Sequence, residues 1–497
     1  MAVNNRPIEL QLGNRRRSMR QRTGAGRRGL VLLVLVGACC EAPAASPATA
    51  TSPNILFIMV DTVRADHVGC YGYAKPTTPA IDRLASGGVR LDQMIASSSW
   101  TMPSLMSMFT SLHPSQHGAT SYRARLRPGI ATLAALLSHA GYQTAGFSSN
   151  PTAHSKFGFG RGFDLYDDFT VMLAADLNLF DDFGEQRGYR EAASSPVVNR
   201  LALDWLRRYW DRSRPFFLFA LYFDPHADYT PPPPYDTMFC PGYTGSENGQ
   251  NMYVRPPASF TPEARERIRA LYDGEIRCTD DHIGVLLRES AALGALDNTV
   301  TILVSDHGEE FWDHGGILHG QTLYDEVVRV PCIFHWPGHL AAGKVLAEQA
   351  SHVDILPTLL AAASIAVPPY CAGRDLLPML RGDVAASVRE ARMETGLDVR
   401  HLIGVRTPQA KLLHDLTADR REWYDLRSDP AEAGDLVSAG RPAPGAEAAS
   451  LDQFRALVAK AREDHPAPET QPDLPPALLK ALQAHGYLHG ATSGPRR

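Results

Sequence analysis

The sequence predicts an α/β protein with a mainly parallel central sheet and helices on both faces. Three observations point there. Short β-rich apolar runs alternate with helical segments along the chain. The runs are continuous rather than alternating, as in strands buried on both faces. Four of them stop at Asp, Asn or His, the residue types that gather where ligands bind at the carboxyl edge of such a sheet.

The size is sufficient for one large domain with an accessory piece: the chain has 497 residues, of which 44% are hydrophobic and 21% charged. Its formal charge is -5, and the first 38 residues hold eight Arg and one Glu, so the rest of the chain stands near -12. A mildly acidic body excludes nucleic acid as a natural partner, because that partner needs a basic surface.

Taken in order, the chain opens with an export segment over residues 1–40. A basic head precedes Gly29-Leu-Val-Leu-Leu-Val-Leu-Val-Gly-Ala-Cys-Cys, an apolar run with small residues before a cysteine. The run is too short to span a membrane comfortably. Val36-Gly37-Ala38-Cys39 resembles a lipobox, in which case Cys39 is lipidated and tethers a periplasmic protein to a membrane; cleavage and release is the alternative. Arg27-Arg28 loosely fits a twin-arginine signal, and Met19 is an alternative start. Residues 41–52, rich in Ala, Pro, Ser and Thr, suit a flexible linker. Beyond Cys39 and Cys40 five cysteines remain, with no CxxC pair, which excludes a zinc ribbon or a disulfide scaffold.

The strands follow. Asn54-Ile-Leu-Phe-Ile-Met-Val ends at Asp61; Gln143-Thr-Ala-Gly-Phe-Ser-Ser ends at Asn150; Pro215 to Phe223 runs into Asp224-Pro-His226; Asn298 to Ser305 runs into Asp306-His307. Carboxylates with a few imidazoles suit a divalent cation such as Ca²⁺, Mg²⁺, Mn²⁺ or Zn²⁺. Between the first two strands lies Ser97-Ser-Ser-Trp-Thr-Met-Pro-Ser104. Pro103 suits the first position of a helix, which places Thr101 just ahead of it, near free N–H groups and the positive end of the helix dipole. From there Thr101 could serve as a reacting hydroxyl, or Thr101 or Ser99 could simply cap the helix. His117 and His154 read as surface or structural histidines. Pro231–Pro234 and Gly242–Gln250 form a loop near the substrate mouth. Three β-like runs lie between Arg400 and Leu426, then a linker from Gly440 to Ser450, a helix from Leu451 to Asp464 and a short one from Leu474.

An ordered set of motifs resembles the sulfatase family of the alkaline phosphatase superfamily. It comprises Asn54-Ile-Leu-Phe-Ile-Met-Val-Asp61, Thr78-Pro-Ala-Ile-Asp-Arg-Leu-Ala, Thr101-Met-Pro-Ser104 with Thr110-Ser-Leu-His-Pro-Ser-Gln-His-Gly118, Tyr272-Asp-Gly-Glu-Ile, Ser305-Asp-His-Gly308, His319-Gly-Gln-Thr-Leu-Tyr-Asp-Glu, Arg329-Val-Pro331, His352-Val-Asp-Ile-Leu-Pro-Thr358 and Trp423-Tyr-Asp-Leu426. The resemblance implies an alkaline phosphatase-like catalytic domain over residues 53–385, a small antiparallel sheet over 386–438, and a linker with helices over 439–497. It implies an exported hydrolase of sulfate, phosphate or phosphonate esters, acting on a small-molecule, glycan or lipid ester.

By the same resemblance Asp61, Asp306 and His307 hold a cation that the nucleophile Thr101 also contacts. His226 and His319 bind the ester or protonate the leaving oxygen, and Asn150, near a usual Lys, could contact a non-bridging oxygen. Asp224, His226 and His319 could form a second metal site. Two positions depart from the family: Thr62 stands where a second Asp is common, and Thr101-Met102-Pro103-Ser104-Leu105 replaces Cys/Ser-x-Pro-x-Arg. A Thr cannot become the formylglycine aldehyde, so Thr101 acts unmodified, and a sulfate ester on a plain alcohol has no second hydroxyl to expel it. Phosphothreonine can be hydrolysed in line at phosphorus. The chemistry favours phosphoesters. The alternatives are sulfate hydrolysis without formylglycine, a phospho-group transferase, and an inactive binding fold.

Overall fold

The computed structural model describes residues 52–168, 194–383, 389–397, 400–465 and 474–484. The export segment and nearly all of the predicted linker before Ser52 lie outside them. Strands β1 (Asn54–Val60), β2 (Val89–Ile95), β3 (Gln143–Ser148), β4 (Leu165–Asp167), β5 (Phe216–Tyr222), β6 (Thr299–Ser305), β9 (Arg329–His335) and β10 (Lys344–Ser351) form one eight-stranded sheet, while β7 (Glu310–Phe311) and β8 (Ile317–Leu318) pair as a hairpin between β6 and β9. The large sheet runs β10-β2-β9-β6-β1-β5-β3-β4. Every neighbouring pair is parallel except those of β9, which runs against both β2 and β6. The sheet is mainly parallel, as the sequence predicts.

Its two faces explain the unbroken apolar runs. Side chains alternate along a strand, so Ile55, Phe57 and Met59 of β1 enter one core and Leu56, Ile58 and Val60 the other. The helices used below are α1 (Pro79–Ser86), α2 (Thr101–Thr110), α3 (Ser195–Arg208), α4 (Pro262–Ala292), α5 (Ile355–Ala362) and α6 (Gly445–Asp464). Leu105 and Phe109 of α2 pack in the first core with Leu356 and Leu359 of α5. Ile81 of α1, Val198 of α3 and Ile276 and Ile283 of α4 fill the second. Helices cover both faces.

Register brings the strand ends together. Val60 pairs with Tyr222 of β5 and Ser305 of β6, and Ser148 of β3 pairs with Leu221 of β5. The chain therefore leaves four adjacent strands at nearly one level, at Asp61, Phe223, Asp306 and Ser149.

The small antiparallel sheet has four strands: β11 (Ala391–Thr395), β12 (Leu402–Arg406), β13 (Ala410–Asp415) and β14 (Arg420–Asp425). The sequence predicts the last three. Strand β11, Ala-Arg-Met-Glu-Thr, is edge-paired and charged, and it carries little apolar signal. Helix α6 begins at Gly445 rather than Leu451, because Ala446-Glu-Ala-Ala continues it readily. Its Leu451, Phe454 and Val458 pack on Ile403, Val405, Leu412 and Trp423 of the small sheet.

Candidate functional site

The site is assembled at the carboxyl edge of β1, β3 and β6 with the first turn of α2. Trp100 in extended geometry is the N-cap, so Thr101 is the first helical residue and not the cap that precedes it. Pro103 still falls in the first turn, where its missing N–H costs nothing. Among the described residues no side chain caps this helix. The Thr101 hydroxyl is instead buried at the site: Oγ1 lies 3.4 Å from Asp61 Oδ2 and 3.3 Å from His307 Nε2. Asn150 Nδ2 donates to Thr101 Oγ1 at 3.2 Å and also to Asp61 Oδ2. The amide is oriented by its own Oδ1, which accepts from Thr152 N at 2.6 Å and Thr152 Oγ1 at 2.7 Å.

Asp61, Asp306 and His307 offer ligand atoms that all lie within 4.8 Å of one another. His307 Nε2 is 3.5 Å from Asp61 Oδ1 and 3.4 Å from Asp306 Oδ2. Its Nδ1 lies 2.9 Å from the Gly308 carbonyl, a bond that fixes the proton on Nδ1 and turns the Nε2 lone pair to the site. Asp306 Oδ1 accepts from His307 N at 2.9 Å and Thr62 N at 3.3 Å. Thr62 holds the left-handed backbone that aims this N–H, with φ 57°.

A divalent cation fits this set. Among the described residues Asp61 Oδ1 and Asp306 Oδ2 are buried with no hydrogen-bond partner, an arrangement that costs free energy unless a charge meets them. Burial and the neighbouring Asp306 charge push the Asp61 carboxyl well above its usual range, against the Asn150 hydrogen bond. Burial likewise raises Asp306, against the pull of His307. Two crowded carboxylates and a bare imidazole nitrogen are what a cation would relieve.

Two further histidines line the edge. The His319 ring is 4.3 Å from the His307 ring and 4.9 Å from that of His226, centroid to centroid. Burial and the His307 charge hold His319 well below the usual imidazole range. His226 stacks on Phe223 with centroids 4.4 Å apart, and its Nδ1 lies 2.8 Å from the Ala227 carbonyl. Asp224 is not brought to the site. Its Oδ2 accepts from Ser194 N and Ser195 N at 3.0 Å each and from Ser195 Oγ at 2.7 Å, at the start of α3. The predicted second metal set of Asp224, His226 and His319 therefore loses its carboxylate, because a residue in a strand-end turn faces a nearby helix N-terminus more easily than the ligand cluster.

His117 is fully buried, with Nε2 3.1 Å from the Pro103 carbonyl, and His154 faces Asp168 at 3.5 Å; both are structural. Leu105, at the usual Arg position, lies in the apolar core. Among the described residues no Lys or Arg hydrogen-bonds or ion-pairs with Asp61, Thr101, Asn150, Asp306, His307 or His319. Sequence reasoning missed Glu309. It is fully buried; Oε1 lies 2.9 Å from His319 Nδ1, and Tyr229 Oη donates to Oε2 at 2.8 Å. Burial pushes its carboxyl up to about 8, against the His307 charge and the Tyr229 bond. The available signal was a second acidic residue directly after the Asp-His-Gly turn.

Comparison with known proteins places this geometry. The sulfatase pattern matches residues 53–365, and that of the N-sulphoglucosamine sulphohydrolase C-terminal region matches residues 313–444. An arylsulfatase of Clostridium perfringens is 27% identical over 441 residues, covering 78% of this chain and 90% of that protein. An N-acetylglucosamine-6-O-sulfatase of Bacteroides thetaiotaomicron is 24% identical over 465 residues, covering 77% and 82%. The phosphonate monoester hydrolase of Agrobacterium radiobacter shares the fold with a TM-score of 0.66 at 21% identity, covering 83% of this chain and 96% of that one. The family generally uses a divalent metal ion, and Asp61, Asp306 and His307 form its candidate cluster here. With more than half of its length matching that pattern and its strand ends delivering this cluster, the chain belongs to the sulfatase family and is an ester hydrolase of that type.

Proposed function

We propose that the protein is a metal-dependent hydrolase of phosphate or phosphonate esters in which unmodified Thr101 is the nucleophile. The observation that supports this reading is the Thr101 hydroxyl, held by Asn150 within 3.4 Å of Asp61 and 3.3 Å of His307 instead of capping its helix. A divalent cation held by Asp61, Asp306 and His307 would lower the hydroxyl pKa and neutralise charge on the ester oxygens; Ca²⁺, Mg²⁺, Mn²⁺ and Zn²⁺ all suit such donors. As Thr101 Oγ1 attacks phosphorus in line its proton passes to solvent, the bond from phosphorus to the leaving oxygen breaks, and protonated His319, with His226 beside it, supplies the proton that this oxygen takes up. Water then displaces the phospho-group from Thr101 in a second in-line step, one water proton returning to the Thr101 oxygen and His319 regaining its proton from solvent.

Charge narrows the substrate. The two carboxylates already balance a divalent cation. A monoanionic ester, such as a phosphonate monoester or a phosphodiester, therefore suits the site better than a dianionic phosphate monoester. The names of the relatives favour a second reading, hydrolysis of sulfate esters, including sulfated sugars, without formylglycine. The test is a metal-loaded assay on aryl sulfate, phosphate monoester, phosphodiester and phosphonate monoester, with Thr101→Ala alongside. The proposal expects the two phosphorus monoanions to lead and Thr101→Ala to lose about 10³-fold or more. Sulfate turnover that leads the panel and vanishes in Thr101→Ala establishes the second reading instead, and full activity in Thr101→Ala removes both.

A further inference from the structure

We infer that Glu309, braced by Tyr229, is a positioning residue that sets which nitrogen of His319 faces the ester. The inference rests on the reading of His319 as the proton donor to the leaving oxygen. Three observations carry it. The Glu309 side chain is fully buried, yet among the described residues it pairs with no Lys or Arg side chain; its two oxygens go to His319 Nδ1 at 2.9 Å and Tyr229 Oη at 2.8 Å. Tyr229 is itself fully buried, its ring 5.7 Å from that of Tyr272 and 5.5 Å from that of Phe311. The brace cannot swing away. His319 is only 7% exposed and lies beside His307 and His226, so one ring orientation is packed in place.

In its ionised form the buried Glu309 carboxyl, accepting from Nδ1, does two things. It keeps the proton on Nδ1, which leaves Nε2 as the nitrogen that meets the ester. It also stabilises the imidazolium that must exist briefly when Nε2 carries a proton to the leaving oxygen. Tyr229 matters because its O–H occupies the second carboxylate oxygen and fixes the plane of the first. This arrangement is specific to a histidine at position 319, since a flexible ammonium would have no tautomer to select.

Glutamine at 309 keeps the shape of the side chain and removes its charge. Tyr229 Oη can donate to the amide oxygen or accept from the amide N–H, so either His319 tautomer can be satisfied. What the variant loses is the anionic partner of the imidazolium at Nδ1. The experiment uses the metal-loaded full chain labelled with ¹⁵N-histidine, together with a series of phosphonate monoesters from nitrophenyl to alkyl leaving groups. In the wild type, NMR is expected to find the His319 proton on Nδ1, bonded to Glu309. Glu309→Gln should lose about 100-fold in kcat on alkyl esters and about tenfold less on nitrophenyl esters, with KM little changed. Tyr229→Phe, which keeps the carboxylate, should show the same selectivity at about 10-fold.

A His319 proton found on Nε2 alone in the wild type overturns the inference, as does an even loss across the series in Glu309→Gln. His319→Ala separates this from the reading beneath it. If that variant loses nothing on alkyl esters, His319 is not the proton donor, while the NMR result still decides whether Glu309 sets its tautomer.

Discussion

Thr101 differs from the hydroxyls around it in what it faces. Ser99 Oγ donates to Thr395 Oγ1 at 2.9 Å, Ser104 Oγ to the Asp306 carbonyl at 2.6 Å, and Thr110 Oγ1 to the Met106 carbonyl at 2.7 Å. Those bonds are structural, and the Ser104 bond ties α2 to the strand end that carries Asp306. Sequence spacing alone could not rank these hydroxyls; the family pattern singled out Thr101, and the fold supplies the reason. Asn150 was read as a contact for a non-bridging oxygen, but its Nδ2 is directed to Asp61 and Thr101. On the proposed reading it holds the Thr101 hydroxyl in place. Asn150→Ala should lower kcat about 100-fold, since misplacing a reacting group by about 1 Å costs that much, with the KM for a phosphonate monoester within about threefold of wild type. A rise in KM at unchanged kcat would return Asn150 to the role of substrate contact.

Among the elements, strand ends were the legible part. Unbroken apolar runs ending at Asp61, Asn150 and Asp306 are a physical signature of a parallel sheet with ligands at one edge, and parallel register made the placement a consequence. What a strand end faces was not legible, because Asp224 follows an equally apolar strand and turns to α3. Asp224→Ala should destabilise the fold by about 1 kcal/mol in urea unfolding, as for the loss of a helix cap, while the bound metal per chain stays unchanged. Loss of a metal equivalent in that variant would restore Asp224 as a ligand. Glu309 was hidden for a related reason: a carboxylate next to a ligand pair reads as one more acid until its burial and its histidine partner are known.

At the scale of the molecule, the catalytic sheet and the small sheet meet through a polar seam. Lys411 is fully buried between Asp325 at 2.6 Å and Glu432 at 2.7 Å, and Arg406 Nη2 reaches Asp325 at 2.7 Å. His314 joins the seam, with Nδ1 2.7 Å from Glu326 and Nε2 3.1 Å from the Glu432 carbonyl. Partial burial pulls its pKa down, but the Glu326 bond and charge, helped by Glu432, raise it to about 9. A raised histidine stabilises the folded state fully below its unfolded pKa, near 6.5, and that contribution fades as pH climbs through about 9. His314→Gln should therefore lower stability by about 1 kcal/mol at pH 6, discounted for the part-exposed ring, and by much less at pH 10. A deficit that does not depend on pH, in thermal or urea unfolding, would contradict this. None of the seam was legible in the sequence, since its pairs lie from 12 to 118 residues apart and follow no local period.

The central claim, that a plain threonine carries the reaction, has one direct measurement. The metal-loaded protein is acid-quenched during turnover of a phosphonate monoester, digested, and the peptide containing Thr101 is weighed. The account predicts a phosphonyl adduct on Thr101 that appears with substrate and disappears when substrate is exhausted. A steadily turning-over enzyme whose Thr101 peptide never gains mass, and whose Thr101→Ala variant remains active, would contradict it.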